Sequence, residues 1–245
     1  MKDKNINSTV MIGGLENSGK TSLICSLLQI ARQKGHNFAG FKPFDIGLLK
    51  RNALEQKSDG ELICQNMSGE PMETLISPYM AHEEFPVEMS FRRDGIRIDP
   101  GFIKERVKIL AGLYDRVLIE LMPSLFTPLS EKMTQGDWIK ETGNRIIWLI
   151  NTRQDQFNQN LAEIQRLKDL GFTFQLVFNN TSKIRNQDLV FYIWEKVEKF
   201  ADQEAEGMIP YINKHKEKDS LFIHKLEKHL PKFLDAIFEK PSDLK

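Results

Sequence analysis

The sequence predicts an α/β fold, a mostly parallel sheet flanked by helices. Apolar and β-branched runs alternate along the chain with stretches of helical spacing. The runs are short and continuous, as strands buried on both faces of a parallel sheet require. The first run ends in a glycine-bearing loop that leads straight into a helical pattern.

That first run is Thr9-Val10-Met11-Ile12, followed by Gly13-Gly14 and then Leu15-Glu16-Asn17-Ser18-Gly19-Lys20-Thr21-Ser22. From Gly14 onward the spacing is G-x-x-x-x-G-K-T, a phosphate-binding loop between strand and helix. The glycines let the backbone close around an anion without Cβ clashes. Loop N–H groups and the helix N-terminus then point at phosphate oxygens. In this motif Lys20 reaches the β- and γ-phosphates of a nucleotide and the Thr21 hydroxyl holds Mg²⁺. A plain glycine turn between strand and helix is the alternative.

The later elements follow in order. Ser22 to Lys34 has helical spacing and is closed by Gly35. Phe38-Ala39-Gly40-Phe41 reads as a buried strand running into Lys42-Pro43, and a helix surrounds Asp59 to Met67. Ser68 to Ile98 is rich in Pro and Gly and poorly periodic, a long excursion of the functional kind. Phe102 to Tyr114 reads as helix and Arg116 to Leu121 as strand. Ile146 to Ile150 is a strand, Gln156 to Leu170 a helix closed by Gly171, Phe172 to Phe178 a strand and Leu189 to Phe200 a helix. Gly207 to Ile212 is a short terminal strand or its exit. Lys214 to Lys218 is a solvated charge run, and Pro231 splits the amphipathic stretch Leu221 to Phe238 in two.

A length of 245 residues suits one α/β domain or at most two small ones. The expectation is a single domain over 1–245, with a flexible polar N-terminus (1–8) and a C-terminal helical segment (213–245). Hydrophobic residues at 40% allow a sizeable core. Lysine plus arginine and aspartate plus glutamate both number 34, so charge gives no case for nucleic acid or membrane as the main partner. The N-terminus has no apolar leader pattern and no stretch approaches a membrane span, so the expected location is cytoplasmic. Two cysteines, Cys25 and Cys64, read as buried thiols.

In parallel sheets ligands sit beyond the carboxyl ends of the strands, so polar residues just after strands are the candidates. Lys42 could meet a second anion beside the phosphate loop, or be a surface lysine. Glu120 sits among buried apolar residues and needs a partner, either Mg²⁺ or an ion pair. Asp59 could face the same region or cap its helix, and Asn179 could read an adenine edge or make a turn. His215, His224 and His229 fall in a polar region that reads as a solvated face.

Taken together, these residues resemble the dethiobiotin synthetase family from about Val10 to Ile212. The anchors are Gly13 to Thr21, Ala39-Gly40-Phe41-Lys42-Pro43, Ser58-Asp59 and Val117 to Glu120. Further matches are Phe126 to Leu129, Asp137-Trp138, Asn158, Asn179 and Ile209-Pro210-Tyr211. The resemblance implies ATP and Mg²⁺ as cofactors and closure of a cyclic urea on 7,8-diaminononanoate with CO₂ or bicarbonate, in biotin biosynthesis. It implies that Lys20 and Lys42 are catalytic, with Lys42 on the carbamate. It places Gly14, Asn17, Ser18, Gly19, Lys20, Thr21, Ser22, Asn179 and Pro210 at the nucleotide. It assigns the metal to Thr21, Asp59 and Glu120, and the substrate to Lys42, Ser124 and Asn158. It also implies a homodimer.

Several positions depart from that family. Its Gly-Ala-Gly-Gly after the strand-end glutamate is Leu121-Met122-Pro123-Ser124, and its Ser-Gly is Ile46-Gly47. Its loop glutamate is Asn17, its Ser-Pro-His is Pro86-Val87-Glu88, and its glycine before Asn158 is Asp155. The phosphate and metal parts are kept, while the substrate-facing parts differ. Two other readings stand beside this one. The first is a nucleotide-binding relative with a regulatory or structural role. The second is a partitioning-type ATPase, ranked lower because that group's signature lysine is Leu15 here.

Overall fold

The computed structural model describes residues 8–54, 56–69, 71–142, 145–181, 187–212 and 218–239. His215 and most of the Lys214–Lys218 run lie outside the described residues, as does the N-terminus as far as residue 7. Ser8, the last residue of the segment expected to be flexible, is buried at the foot of the first strand.

Six parallel strands form the main sheet: β1 (Thr9–Gly14), β2 (Phe38–Phe41), β5 (Arg116–Glu120), β8 (Arg145–Asn151), β9 (Phe174–Asn179) and β10 (Met208–Ile209). Their order is β10-β9-β8-β1-β5-β2, which puts β1 and the loop after it between neighbours on both sides. All six residues of β1 are buried, as are all of β2 and β5. This is why these strands read as unbroken apolar runs rather than alternating ones.

The long helices are α1 (Lys20–Gln33), α3 (Asp59–Asn66), α6 (Pro100–Leu113), α7 (Gln135–Thr142), α8 (Phe157–Asp169), α9 (Gln187–Ala201), α10 (Lys218–His229) and α11 (Pro231–Phe238). Of these, α1, α3, α6, α9 and α10 lie directly against the strands of the sheet. On α9, Trp194 stacks on Phe178 of β9 with ring centroids 4.4 Å apart. Pro231 starts α11 at a position where its missing N–H costs nothing. Two arginines at the N-terminal edge of the sheet tie down this last helix. Arg145 donates to the Ala236 carbonyl at 3.0 Å and Arg116 to the Glu239 carbonyl at 2.6 Å.

The stretch from Ser68 to Ile98 is more regular than its composition suggests. It contains α4 (Glu73–Ile76), β4 (Tyr79–Ala81) and α5 (Val87–Arg93). β4 pairs in parallel with β3 (Phe44–Ile46), and Gly47 leads on into α2 (Leu48–Ala53). These pieces are three to seven residues long, too short for hydrophobic periodicity to register. A small antiparallel hairpin, β6 (Pro128–Ser130) with β7 (Met133–Thr134), precedes α7 and has the same cause for escaping notice.

Candidate functional site

The register of the sheet assembles the site. Phe41 pairs with Ile119 and Ile12 pairs with Glu120. Lys42 and Glu120 therefore leave adjacent strand ends on either side of one ladder position, next to the loop that follows Gly14. The Lys42 Nζ lies 2.7 Å from Glu120 Oε1 and 2.9 Å from Asp59 Oδ2. Thr21 donates its hydroxyl to the same Glu120 Oε1 at 3.1 Å. Four residues that sequence reasoning singled out separately thus meet at one point.

The loop itself needs its glycine. Gly19 has φ 95°, and a Cβ there would collide with the Asn179 side chain. Asn17 takes the left-handed region at φ 58°, which asparagine tolerates. Asn179 sits behind the loop and donates Nδ2 to the Ser18 carbonyl at 2.8 Å. The Lys20 ammonium folds back on the loop, donating to the Gly14 and Leu15 carbonyls at 2.9 and 3.0 Å. Burial pushes the Lys20 pKa down to about 8, with Glu120 pulling against that and Lys42 adding to it. Among the described residues the buried Ser18 Oγ has no hydrogen-bond partner.

Lys42 and Asp59 are both buried enough that desolvation opposes their charges. In each case the opposite charges win. Glu120, Asp59 and Asp45 together hold the Lys42 ammonium above the usual lysine range. Lys42 and Arg51 hold the Asp59 carboxyl below the usual carboxylate range.

Two members of this cluster escaped the sequence. Asp45, on β3, has a fully buried side chain and pairs with Arg51 Nη1 at 2.5 Å. Arg51, on α2, reaches Asp59 Oδ2 with Nη2 at 3.1 Å. A signal existed for Asp45: a carboxylate between Phe44 and Ile46 needs a buried partner. None existed for Arg51, whose partners are fixed only by the turn at Gly47.

The substrate-side residues are placed differently. Ser124 Oγ hydrogen-bonds Glu163 Oε1 at 2.5 Å, and Leu125 N–H donates to Glu163 Oε2 at 2.9 Å. The Gln135 side chain brackets the same turn: it accepts from Met122 N–H at 2.8 Å and donates to the Met122 and Ser124 carbonyls at 3.1 and 3.0 Å. Leu121 to Ser124 is therefore a clamped wall. Asn158 is exposed in the first turn of α8, Ser22 is exposed on α1, and Pro210 is half-buried just past β10.

Whether this site suits Mg²⁺ can be tested on its donors. Among the described residues the buried Glu120 Oε2 has no hydrogen-bond partner, while Glu120 Oε1 accepts from the Thr21 hydroxyl and shares the Lys42 ammonium with Asp59 Oδ2. Hard oxygen donors with one orphaned carboxylate oxygen fit Mg²⁺. Among the described residues no three His, Cys, Asp or Glu side chains form a protein-only metal cage. Mg²⁺ that is shared with substrate phosphates needs none.

Residues 8–218 match the AAA domain family. The ATP-dependent dethiobiotin synthetase BioD 1 of Escherichia coli O157:H7 is 27% identical over 155 residues, 63% of this chain and 69% of that protein. The BioD protein of Yersinia pestis bv. Antiqua (strain Angola) is 26% identical over 63% of this chain and 65% of its own length. Among solved structures, the MinD cell division protein of Aquifex aeolicus superposes with a TM-score of 0.55 at 14% identity. That match covers 90% of this chain and 96% of MinD. The septum site-determining protein MinD of Pyrococcus horikoshii OT3, complexed with Mg-ADP, gives 0.52 at 14% identity over 94% and 99%. These two likenesses establish the fold. Among the described residues no helix is long and apolar enough to cross a membrane.

Proposed function

The chain belongs to the AAA domain family and is a dethiobiotin-synthetase-like P-loop member of it; from that premise we propose that it is an ATP- and Mg²⁺-dependent carboligase. In this reading CO₂ adds to one amine of 7,8-diaminononanoate to give a carbamate and a proton. A carbamate oxygen then takes the γ-phosphoryl group and ADP leaves. The second amine attacks the carbonyl carbon, phosphate departs, and the cyclic urea closes. The single observation that carries the proposal is the buried Lys42, paired to Asp59 and Glu120 beside the loop lysine. A nucleotide binder has no evident use for that second lysine.

Each residue has a task. Lys20 leaves the Gly14 and Leu15 carbonyls for the phosphates, and the loop from Gly14 through Asn17, Ser18 and Gly19 to Ser22 cradles them. Thr21, Asp59 and Glu120 hold Mg²⁺, which when bound neutralises phosphate charge. Lys42 offsets the repulsion between the anionic carbamate and the anionic γ-phosphate. Asn179 keeps a carbonyl oxygen and one N–H for adenine while the other N–H holds the loop, with Pro210 at the ring. Ser124 and Asn158 lie on the substrate side. The proposal includes a cytoplasmic homodimer.

One observation favours a second reading. The clamped wall from Leu121 to Ser124 stands where the family has glycines, and Gln135 and Glu163 hold it in place. A protein that binds nucleotide without turning over the diamine would tolerate this. Phosphate release with Mg·ATP, bicarbonate and 7,8-diaminononanoate separates the two. Release stimulated by the diamine supports the ligase; nucleotide binding without stimulated release supports the binder.

A further inference from the structure

Asp59 is held by two cations of different kinds. Lys42 reaches it on a flexible four-carbon stem as a point charge and shares itself with Glu120. Arg51 reaches it with one arm of a planar fork whose other arm is anchored on Asp45. Asp45 cannot move easily. Its side chain is fully buried, its residue pairs with Met80 in the β3–β4 ladder, and its Oδ2 accepts the Gly60 N–H at 3.0 Å. Gly60 is the residue after Asp59, so Asp45 holds both the backbone beside Asp59 and the arginine that grips its carboxylate.

We infer that Arg51 is a positioning residue: anchored on Asp45, it keeps the Asp59 carboxylate aimed at a divalent cation after Lys42 has let go. The inference rests on the nucleotide and Mg²⁺ reading above. If Lys42 moves to the incoming anion, Asp59 loses one of its two partners. Without Arg51 its side chain would then be free to rotate about χ1. The backbone of Asp59 is already fixed, because Ser58 and Glu61 form a capping box at the start of α3.

At Arg51 a charge effect and a positioning effect predict opposite signs. If Arg51 acted only as a nearby cation, Arg51→Met would tighten metal binding, and Asp45→Asn, which removes an anion, would loosen it. Positioning predicts that both loosen it. The experiment is Mn²⁺ titration of wild type, Arg51→Met, Arg51→Lys, Asp45→Asn and the double variant in the presence of ADP. ADP affinity in EDTA and thermal unfolding are recorded alongside.

Outer partners of metal ligands typically contribute about 10- to 100-fold in affinity. Arg51→Met and Asp45→Asn should each weaken Mn²⁺ by about tenfold or more, and the double variant should be no weaker than Arg51→Met alone. Arg51→Lys keeps the charge and loses the fork, so it should also weaken Mn²⁺. The double variant removes the uncompensated buried carboxylate and should recover thermal stability without recovering metal affinity. Tighter Mn²⁺ binding in Arg51→Met overturns the inference, and so does a loss of stability with metal affinity unchanged. If wild-type ADP binding does not depend on metal at all, the Mg²⁺ reading fails first and this inference falls with it.

Discussion

The Lys42 ammonium lies 2.7 Å from the Glu120 carboxylate, and the pair is made by two parallel strands ending side by side. Both oxygens that Lys42 touches, Glu120 Oε1 and Asp59 Oδ2, belong to residues proposed to hold Mg²⁺. Lys42 therefore competes with a divalent cation in the nucleotide-free protein. Lys42→Met should bind Mn²⁺ without nucleotide on the order of tenfold more tightly than wild type. Electron paramagnetic resonance of free Mn²⁺ reads this directly. Unchanged or weaker binding would show that the lysine does not occupy the metal position.

Lys20 gives a prediction in pH. Its ammonium is buried against loop carbonyls with a pKa of about 8, below the ordinary 10.5. At pH 8.5 much of it is neutral in the free protein. A bound phosphate anion favours the charged form, so ADP binding at that pH should take up a proton. Calorimetry in buffers of different ionisation enthalpy measures the uptake. At pH 6.5 Lys20 is already charged and its uptake should vanish. Lys20→Ala should lose most ADP affinity together with the uptake. Uptake that persists in this variant would assign the proton elsewhere.

Mg²⁺ dependence should lie with the carboxylates. Asp59→Asn combined with Glu120→Gln leaves Thr21 as the only proposed protein donor of the three. Nucleotide binding in this variant should no longer respond to Mg²⁺, as titration with and without EDTA would reveal. A response equal to that of wild type would give the two carboxylates another task.

At the N-terminal ends of β8 and β5, Arg145 donates to the Ala236 carbonyl and Arg116 to the Glu239 carbonyl. Arg145→Ala removes a charge-assisted bond at the end of α11. It should lower the unfolding free energy by about 1–3 kcal/mol and leave ADP affinity unchanged. Guanidinium unfolding and calorimetry test both halves. A loss of ADP affinity would mean that the C-terminal helices are coupled to the loop.

The sequence reveals those parts of the site that follow unbroken, buried apolar runs. Lys42 and Glu120 each stand where such a run meets a charge, and Lys20 and Thr21 lie within a spaced motif. Asp45 shows only as a lone carboxylate between Phe44 and Ile46, and its pairing with Arg51 is illegible for the opposite reason. They belong to a three-residue strand and a six-residue helix, and their pairing depends on a turn at Gly47 with φ 82°. Asn179 is legible as a strand-end residue, while its bond to the Ser18 carbonyl depends on the close approach of β9 to the loop. The wall from Leu121 to Ser124 shows in the sequence only as missing glycines; the Gln135 and Glu163 clamps come from helices 11 and 39 residues further along.

The central claim is that Lys42 serves a second anion rather than the nucleotide. The most direct measurement is phosphate release from Mg·ATP with bicarbonate and 7,8-diaminononanoate, by wild type and Lys42→Ala, with ADP affinity measured on the same samples. An interaction made in the transition state, when lost, lowers turnover without altering ground-state binding. The account predicts diamine-stimulated release by wild type, a fall of about 10²-fold or more in Lys42→Ala, and ADP affinity that is not weakened. Normal turnover by Lys42→Ala, or wild-type protein that binds ADP but shows no stimulated release, would contradict it.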